Sequence, residues 1–295
     1  MAALIDNPFA PTLLACLAVG LALSLLARLG TSPLAASLVA PVVFLVAYVA
    51  TYQDVPDFPP VGSTNKIFFV AVAGMAAGMV VDLVTLSSRL AGRSVLLLRR
   101  FCETAAPPAV AIWIGLPRFA ELNTDFLLAL AGLAIGGIAV LWRLDAVAAA
   151  DRPDGGEMVA TAMLAALSLG FAPIALFGAS STSFGLCLGV AAGLAASALV
   201  ALAWPRGFGS SAILGAGSGL LAVVDTVTLI TQKIDWLAVL VLLSVLFAGQ
   251  VAARVLLPPG RPGLRVRRLS VALLSASPVP VIVAILFLRH ANPIG

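Results

Sequence analysis

The chain has 295 residues, 61% of them hydrophobic and only 10% charged, with a mean hydropathy of +1.12. A soluble domain carries about a quarter charged residues, so an ordinary globular enzyme is excluded. The 17 Lys and Arg against 13 Asp and Glu give a net charge of +4, which fits loop arginines orienting membrane segments and implies no nucleic-acid partner.

Residues 1–9 contain no Lys or Arg and so lack the basic start of a cleavable signal. The run 11–29 is therefore read as a retained first span. Apolar runs near the length that crosses roughly 30 Å of hydrocarbon predict ten spans: 11–29, 34–51, 67–86, 101–116, 126–144, 158–178, 184–204, 210–230, 236–257 and 269–288. The fourth is short, holds Glu103 and Pro107-Pro108, and directly follows Arg99-Arg100.

Charge supports keeping that span. Ten spans place Arg28, Arg89, Arg93, Arg99, Arg100, Arg143, Arg152, Arg206, Arg254, Arg261, Arg265, Arg267 and Arg268 on one side. Only Lys66, Arg118, Lys233 and Arg289 fall on the other. The arginine-rich side is cytoplasmic, so both termini are expected outside the cytoplasm, and the location is the bacterial inner membrane. Omitting the fourth span abolishes the bias. With no alternating barrel period, the expected fold is all-α, one polytopic helical bundle over residues 1–295.

Helices in a bilayer associate through close contact at small residues. Gly185, Gly189, Gly193 and Ser197 form one stripe on the seventh span, and Ser211, Gly215 and Gly219 another on the eighth. Gly74 and Gly78 mark the third span, Gly132 and Gly136 the fifth, and Cys16, Gly20 and Ser24 the first. These are read as packing faces. Pro107-Pro108, Pro173, and the pair Pro278 and Pro280 are expected to interrupt their spans.

Ionisable groups inside spans are candidate functional residues. Asp225, with Ser218 seven residues earlier on the same helical face and Thr228 beside it, is the leading site for a solute or ion path. Ser168 and Asp82 complete the candidates. The alternatives are a pairing of Asp225 with Lys233, and of Asp82 with Arg89. Glu103 lies one turn from Arg99 and Arg100 on the same helix.

The segment Ser87 to Arg100 places Arg89, Arg93 and Arg100 opposite Ala91, Val95 and Leu98, the pattern of an amphipathic surface helix. Together with Arg265, Arg267 and Arg268 it forms a candidate surface for anionic lipid or a partner subunit. Orienting charge accounts for the same residues. The polar turn 180–183 and the proline-rich loop 52–66 are expected on the outer side.

The single histidine, His290, rules out a bis-histidine haem or a histidine metal site within one chain, and no phosphate-binding glycine loop appears. Three cysteines in or beside apolar segments suit packing better than disulfides. No cofactor and no metal are expected.

The loop Phe58-Pro59-Pro60-Val61-Gly62-Ser63-Thr64-Asn65-Lys66-Ile67-Phe68 resembles a stretch shared by bacterial polytopic inner-membrane proteins of this length. That resemblance implies location and an all-helical fold, and no activity or site residue. The ten-span size is also similar to the drug/metabolite transporter superfamily, whose termini are expected in the cytoplasm, opposite to the orientation read here. A small-solute carrier or permease is the leading functional expectation. The alternatives are an accessory, assembly or structural subunit of a larger membrane complex, and then a lipid-processing enzyme; the expected protein partners are other membrane subunits or further copies of the chain.

Overall fold

A computed structural model describes residues 9–30, 32–87, 92–121, 123–149, 156–205, 207–256 and 264–290. The described residues are helical apart from short connections, with no strand among them. Helices follow from the solvent: hydrocarbon offers no partner for backbone N–H and C=O, so each segment satisfies its own.

In chain order the rods are α1 (Ala10–Leu29), α2 (Pro33–Tyr52), α3 (Ser63–Ser87), α4 (Gly92–Gly115), α5 (Thr124–Ala148), α6 (Glu157–Phe177), α7 (Ser181–Ala203) and α8 (Ser210–Thr231). A 3-10 turn, Leu116–Glu121, follows α4. The helix α9 comes in two pieces, Trp236–Leu243 and Val245–Leu256, and α10 in two, Leu264–Ser275 and Pro278–His290. Eight of these rods, all but α4 and α9, are long and apolar enough to cross a membrane.

Helix α7 is the hub of one half, packing against α1, α2 and α6. Helix α8 is the hub of the other, flanked by α3, α4 and α2, while α5 lies against α4 and α6, and α9 and α10 close over α6. Enclosure differs sharply: 78% of the apolar stretch of α6 and of α8 is buried within the bundle, against 28% of that of α5. Helices α6 and α8 are thus central, and most of the α5 surface is left uncovered by the bundle.

The small-residue stripes sit at the closest approaches. A side chain on Gly20 would collide with the Gly193 backbone, and one on Gly193 would lie 2.5 Å from Val43 and 2.9 Å from the Cys16 carbonyl. Gly185 receives the Phe9 ring, and Gly189 the side chains of Cys16 and Thr12. Gly74 and Gly78 of α3 abut the backbone of α8 at Leu214 and Ser211, which makes the two helices antiparallel. On α8, Gly215 accepts Pro41 and Gly219 accepts the Phe44 ring.

Helix α5 departs from the expectation. Gly132 and Gly136 face open space, and neighbouring Gly137 makes the contact, where a Cβ would meet the Pro107 ring at 2.7 Å. Spacing alone cannot separate adjacent glycines that differ by 100° around the helix. The proline expectation also needs correction. Helices α4 and α6 run unbroken through Pro107, Pro108 and Pro173, because each proline removes one hydrogen bond that neighbouring turns tolerate. Only Pro278 coincides with a break, at the start of the second piece of α10. The amphipathic surface helix is corrected too: from Gly92 onward that segment forms the first turns of α4.

Two substitutions test this packing. Gly189→Leu is expected to destabilise the bundle by about 1–3 kcal/mol, the usual cost of overpacking. Gly136→Ala, at an open position of α5, is expected to be neutral or to stabilise by up to about 1 kcal/mol through helix propensity. Thermal unfolding of the purified protein in one detergent reads both.

Candidate functional site

Helix α8 organises the site. Its first N–H groups have no partner within the helix, and the Asp82 carboxylate of α3 supplies one. Asp82 Oδ1 accepts from Ser210 N at 2.7 Å, and Oδ2 accepts from Ser211 N at 3.0 Å and Ser211 Oγ at 2.7 Å. The negative charge also complements the positive end of the helix dipole. Gly209 makes the approach feasible, since a Cβ there would stand 2.6 Å from Asp82 Oδ2. Asp82 is thus an inter-helix cap. Its expected partner Arg89 lies outside the described residues.

The opposite end of α8 is capped by a cation. Arg118, in the turn after α4, donates Nη1 to the Leu229 carbonyl at 2.9 Å and stacks 5.7 Å from the Phe126 ring. A second cation closes α4: Lys66, 7% exposed, donates Nζ to the Trp113 carbonyl at 2.7 Å. Trp113 lies in the last turn of α4, where carbonyls lack helical partners and the dipole favours positive charge.

Between its caps α8 is irregular, with π-helical segments at Ile213–Gly217 and Val227–Thr231 on either side of Ser218–Thr226. Such widened turns concentrate at functional sites. Thr226, Thr228 and Thr231 each return their hydroxyl to a carbonyl four residues back, at 2.6–2.7 Å. Ser218 does not. Its Oγ is buried without a hydrogen-bond partner, and Asp225 (3% exposed) makes no hydrogen bond or ion pair among the described residues. Seven residues apart on one regular stretch, the two share a helix face.

Two clefts touch α8. The larger, about 650 Å³, lies between α5, α6, α8 and α9, and includes the open Gly132 and Gly136, with Asp125 and Trp236 in its lining. The smaller, about 470 Å³, runs between α3 and α4 and is floored by Leu214 and Ser218. Both linings are predominantly apolar.

The five path candidates therefore separate. Ser218 and Asp225 share a face and have no partner among the described residues, and of the two only Ser218 lines a cleft, whereas Asp82 caps α8 and Thr228 bonds its own helix. Ser168 of α6 donates to the Cys187 carbonyl at 2.8 Å, so it joins α6 to α7 and lines neither cleft. A polar cavity shared by Ser168, Ser218 and Asp225 is not formed. Asp225 is not paired with Lys233 either.

The basic residues also pair inward. On α4, Arg99 Nε donates to Glu103 Oε1 at 3.1 Å, and Arg100 to Glu103 Oε2 and Asp145 Oδ2, both at 2.9 Å. Arg99 also contacts Asp145. Two guanidinium groups thus meet two carboxylates that are almost fully buried. Arg100 belongs to this network, and its side chain remains 36% exposed. Arg28 pairs with Glu157, whose Oε2 also accepts from Gly207 N at 2.8 Å. Arg143 donates to the Leu246 carbonyl at 3.1 Å and to Gln250.

Of the remaining surface candidates, Arg93 is exposed, Arg267 is half-buried, and the half-buried Arg268 guanidinium lies beside Gly156. The Arg265 side chain lies outside the described residues. Asp145, Lys66 and Arg118 were missed as structural anchors. Their common signal was position, since each sits at a span end facing a neighbouring helix terminus or opposite charge.

At the start of α9, Asp235 caps Leu237 and Ala238 and pairs with Arg289 at 2.9 Å. Burial pushes its carboxyl upward, but Arg289 and the two N–H groups outweigh it and hold the group below the usual aspartate value. Among the described residues no cluster of three His, Cys, Asp or Glu is placed to hold a metal, and Cys16, Cys102 and Cys187 are free thiols. No protein-family model matches the chain, and no curated protein matches it.

Asp82→Ala is expected to cost about 1–3 kcal/mol, because it strands two N–H groups at a buried helix end. Ser211→Ala removes one bond of the same set and should cost less. The order of the two melting temperatures checks the capping assignment.

Proposed function

We propose that this is a small-solute carrier of the bacterial inner membrane, with ten spans and both termini outside the cytoplasm. The observation that carries the reading is the pair Ser218 and Asp225, two buried polar groups on one face of an enclosed, π-broken helix, of which Ser218 Oγ has no hydrogen-bond partner and Asp225 pairs with no described residue. Polar groups within a membrane are costly and mark ion and solute paths. In this reading Asp225 is the group that binds and releases a proton or cation during the transport cycle, and Ser218 contacts the solute.

The contacts support ten crossings. One end of the bundle gathers Arg28 with Glu157 and Gly207, Asp82 with Ser210, Arg100 with Asp145, and Arg143 with Gln250. The other gathers Lys66 with Trp113, Arg118 with Leu229, and Asp235 with Arg289. Helix α4 joins the first end, at Arg100, to the second, at Trp113. Helix α9 joins Asp235 to Gln250 in the same way. Counting α4 and α9 with the eight apolar rods gives ten, and the first end is the arginine-rich, cytoplasmic one.

Two experiments address this proposal. In intact cells a membrane-impermeant thiol reagent should label Val61→Cys, in an exposed outer loop, and should label Ser87→Cys, exposed at the end of α3, only after permeabilisation. The reverse pattern would overturn the orientation. Reconstituted vesicles containing a pH-sensitive dye and offered a panel of solutes should show solute-dependent proton flux. Asp225→Asn should lower that flux at least tenfold without altering the melting temperature. Undiminished flux in Asp225→Asn would remove Asp225 from the mechanism.

A further inference from the structure

We infer that the slot between α3 and α4 is a binding site for an uncharged lipophile bearing a carbonyl group, which accepts a hydrogen bond from Ser218. This deepens the carrier reading by naming a solute class.

The slot of about 470 Å³ falls within the 300–1,000 Å³ range of small-molecule sites. Its walls are narrow because they are built from Ala73, Ala77, Ala105 and Ala109, with Phe101 and Trp113 also in the lining. Ala73, Ala77 and Ala109 remain exposed, so the slot opens sideways from the bundle, where a membrane-dissolved molecule would enter. Its lining contains no charged side chain. The nearest guanidinium groups along α4, Arg99 and Arg100, are held by Glu103 and Asp145. A charged headgroup therefore finds no counter-ion in the slot.

One strongly polar side chain reaches this lining, Ser218, which is 1% exposed and whose Oγ has no partner. A buried hydroxyl left unpaired in an apolar setting costs free energy that a ligand can recover. The donor count selects the ligand chemistry. An amine or amide brings protons that one hydroxyl cannot all accept, and a ligand hydroxyl that donates to Ser218 leaves the serine proton unpaired. A carbonyl takes the serine proton and brings no other.

The test uses two probes, a bromoalkyl ketone and the bromoalkane of the same length, which both quench tryptophan. Binding is read by fluorescence in a variant in which Trp113 is the remaining tryptophan. The ketone should bind about 2- to 13-fold more tightly than the alkane, the span of one net hydrogen bond. Ser218→Ala should reduce ketone affinity to that of the alkane and leave the alkane unchanged, and Ala109→Leu should abolish saturable quenching by both. Equal affinities in the parent protein, ketone binding indifferent to Ser218→Ala, or quenching that persists in Ala109→Leu would overturn the assignment and identify the slot as filled by bulk lipid. Ketone binding without solute-dependent proton flux in the parent protein would sink the carrier reading alone, and flux without ketone binding would sink this inference alone.

Discussion

Helix α8 is held at both ends by charges that belong to other helices, and the bundle around it follows from that constraint. A helix enclosed by protein inside a membrane has no water for its terminal N–H and C=O groups. Asp82 satisfies one end of α8 and Arg118 the other. Both charges have the sign that the helix dipole requires. Asp82 thereby fixes the antiparallel register of α3 on α8, and the glycine contacts at Gly74 and Gly78 bring the two backbones together. A helix pinned at its ends can tolerate widened turns between them, and the unpartnered Ser218 and Asp225 lie there.

The arginines serve two roles. In the proposed topology they orient the chain as loop charges, and within the bundle several of them pair with carboxylates at one end. The four-charge cluster of Arg99, Arg100, Glu103 and Asp145 joins α4 to α5. Desolvating such groups offsets much of their attraction, so its main contribution is to specify which helices meet. It also explains how α4 begins within a charged stretch and still enters the bundle, since its cations are matched by buried anions. Farther along, the Pro107 ring fills the space left by the missing side chain of Gly137.

Helical class and the positions of the rods were legible because hydrophobic length is a one-dimensional signal. The start of α4 was not, because Arg99, Arg100 and Glu103 look like surface charge until Asp145 is seen beside them. Helix breaks were misplaced in part: α4 and α6 run through the prolines that were expected to interrupt them, the break near Leu38 stands three residues before Pro41, and those near Ser244 and in the π segments of α8 coincide with no proline. Asp82 drew attention to Arg89 seven residues on, while its partners lie 128 and 129 residues away. Periodicity placed Ser218 and Asp225 on one face correctly, but it could not distinguish them from Ser168 and Thr228, whose hydroxyls are already bonded.

The proposed carrier role requires the α8 face that holds Ser218 and Asp225 to become accessible to water, although both residues are buried in this structure. With the three native cysteines replaced by alanine, the direct measurement is thiol labelling of Ala222→Cys, which lies within one turn of both Ser218 and Asp225, in membranes and with a small hydrophilic reagent. The account predicts slow but complete modification in the folded protein, accelerated or slowed by a transported solute. An Ala222→Cys protein that stays unmodified until it is denatured would contradict it, and would leave α8 as a static core helix.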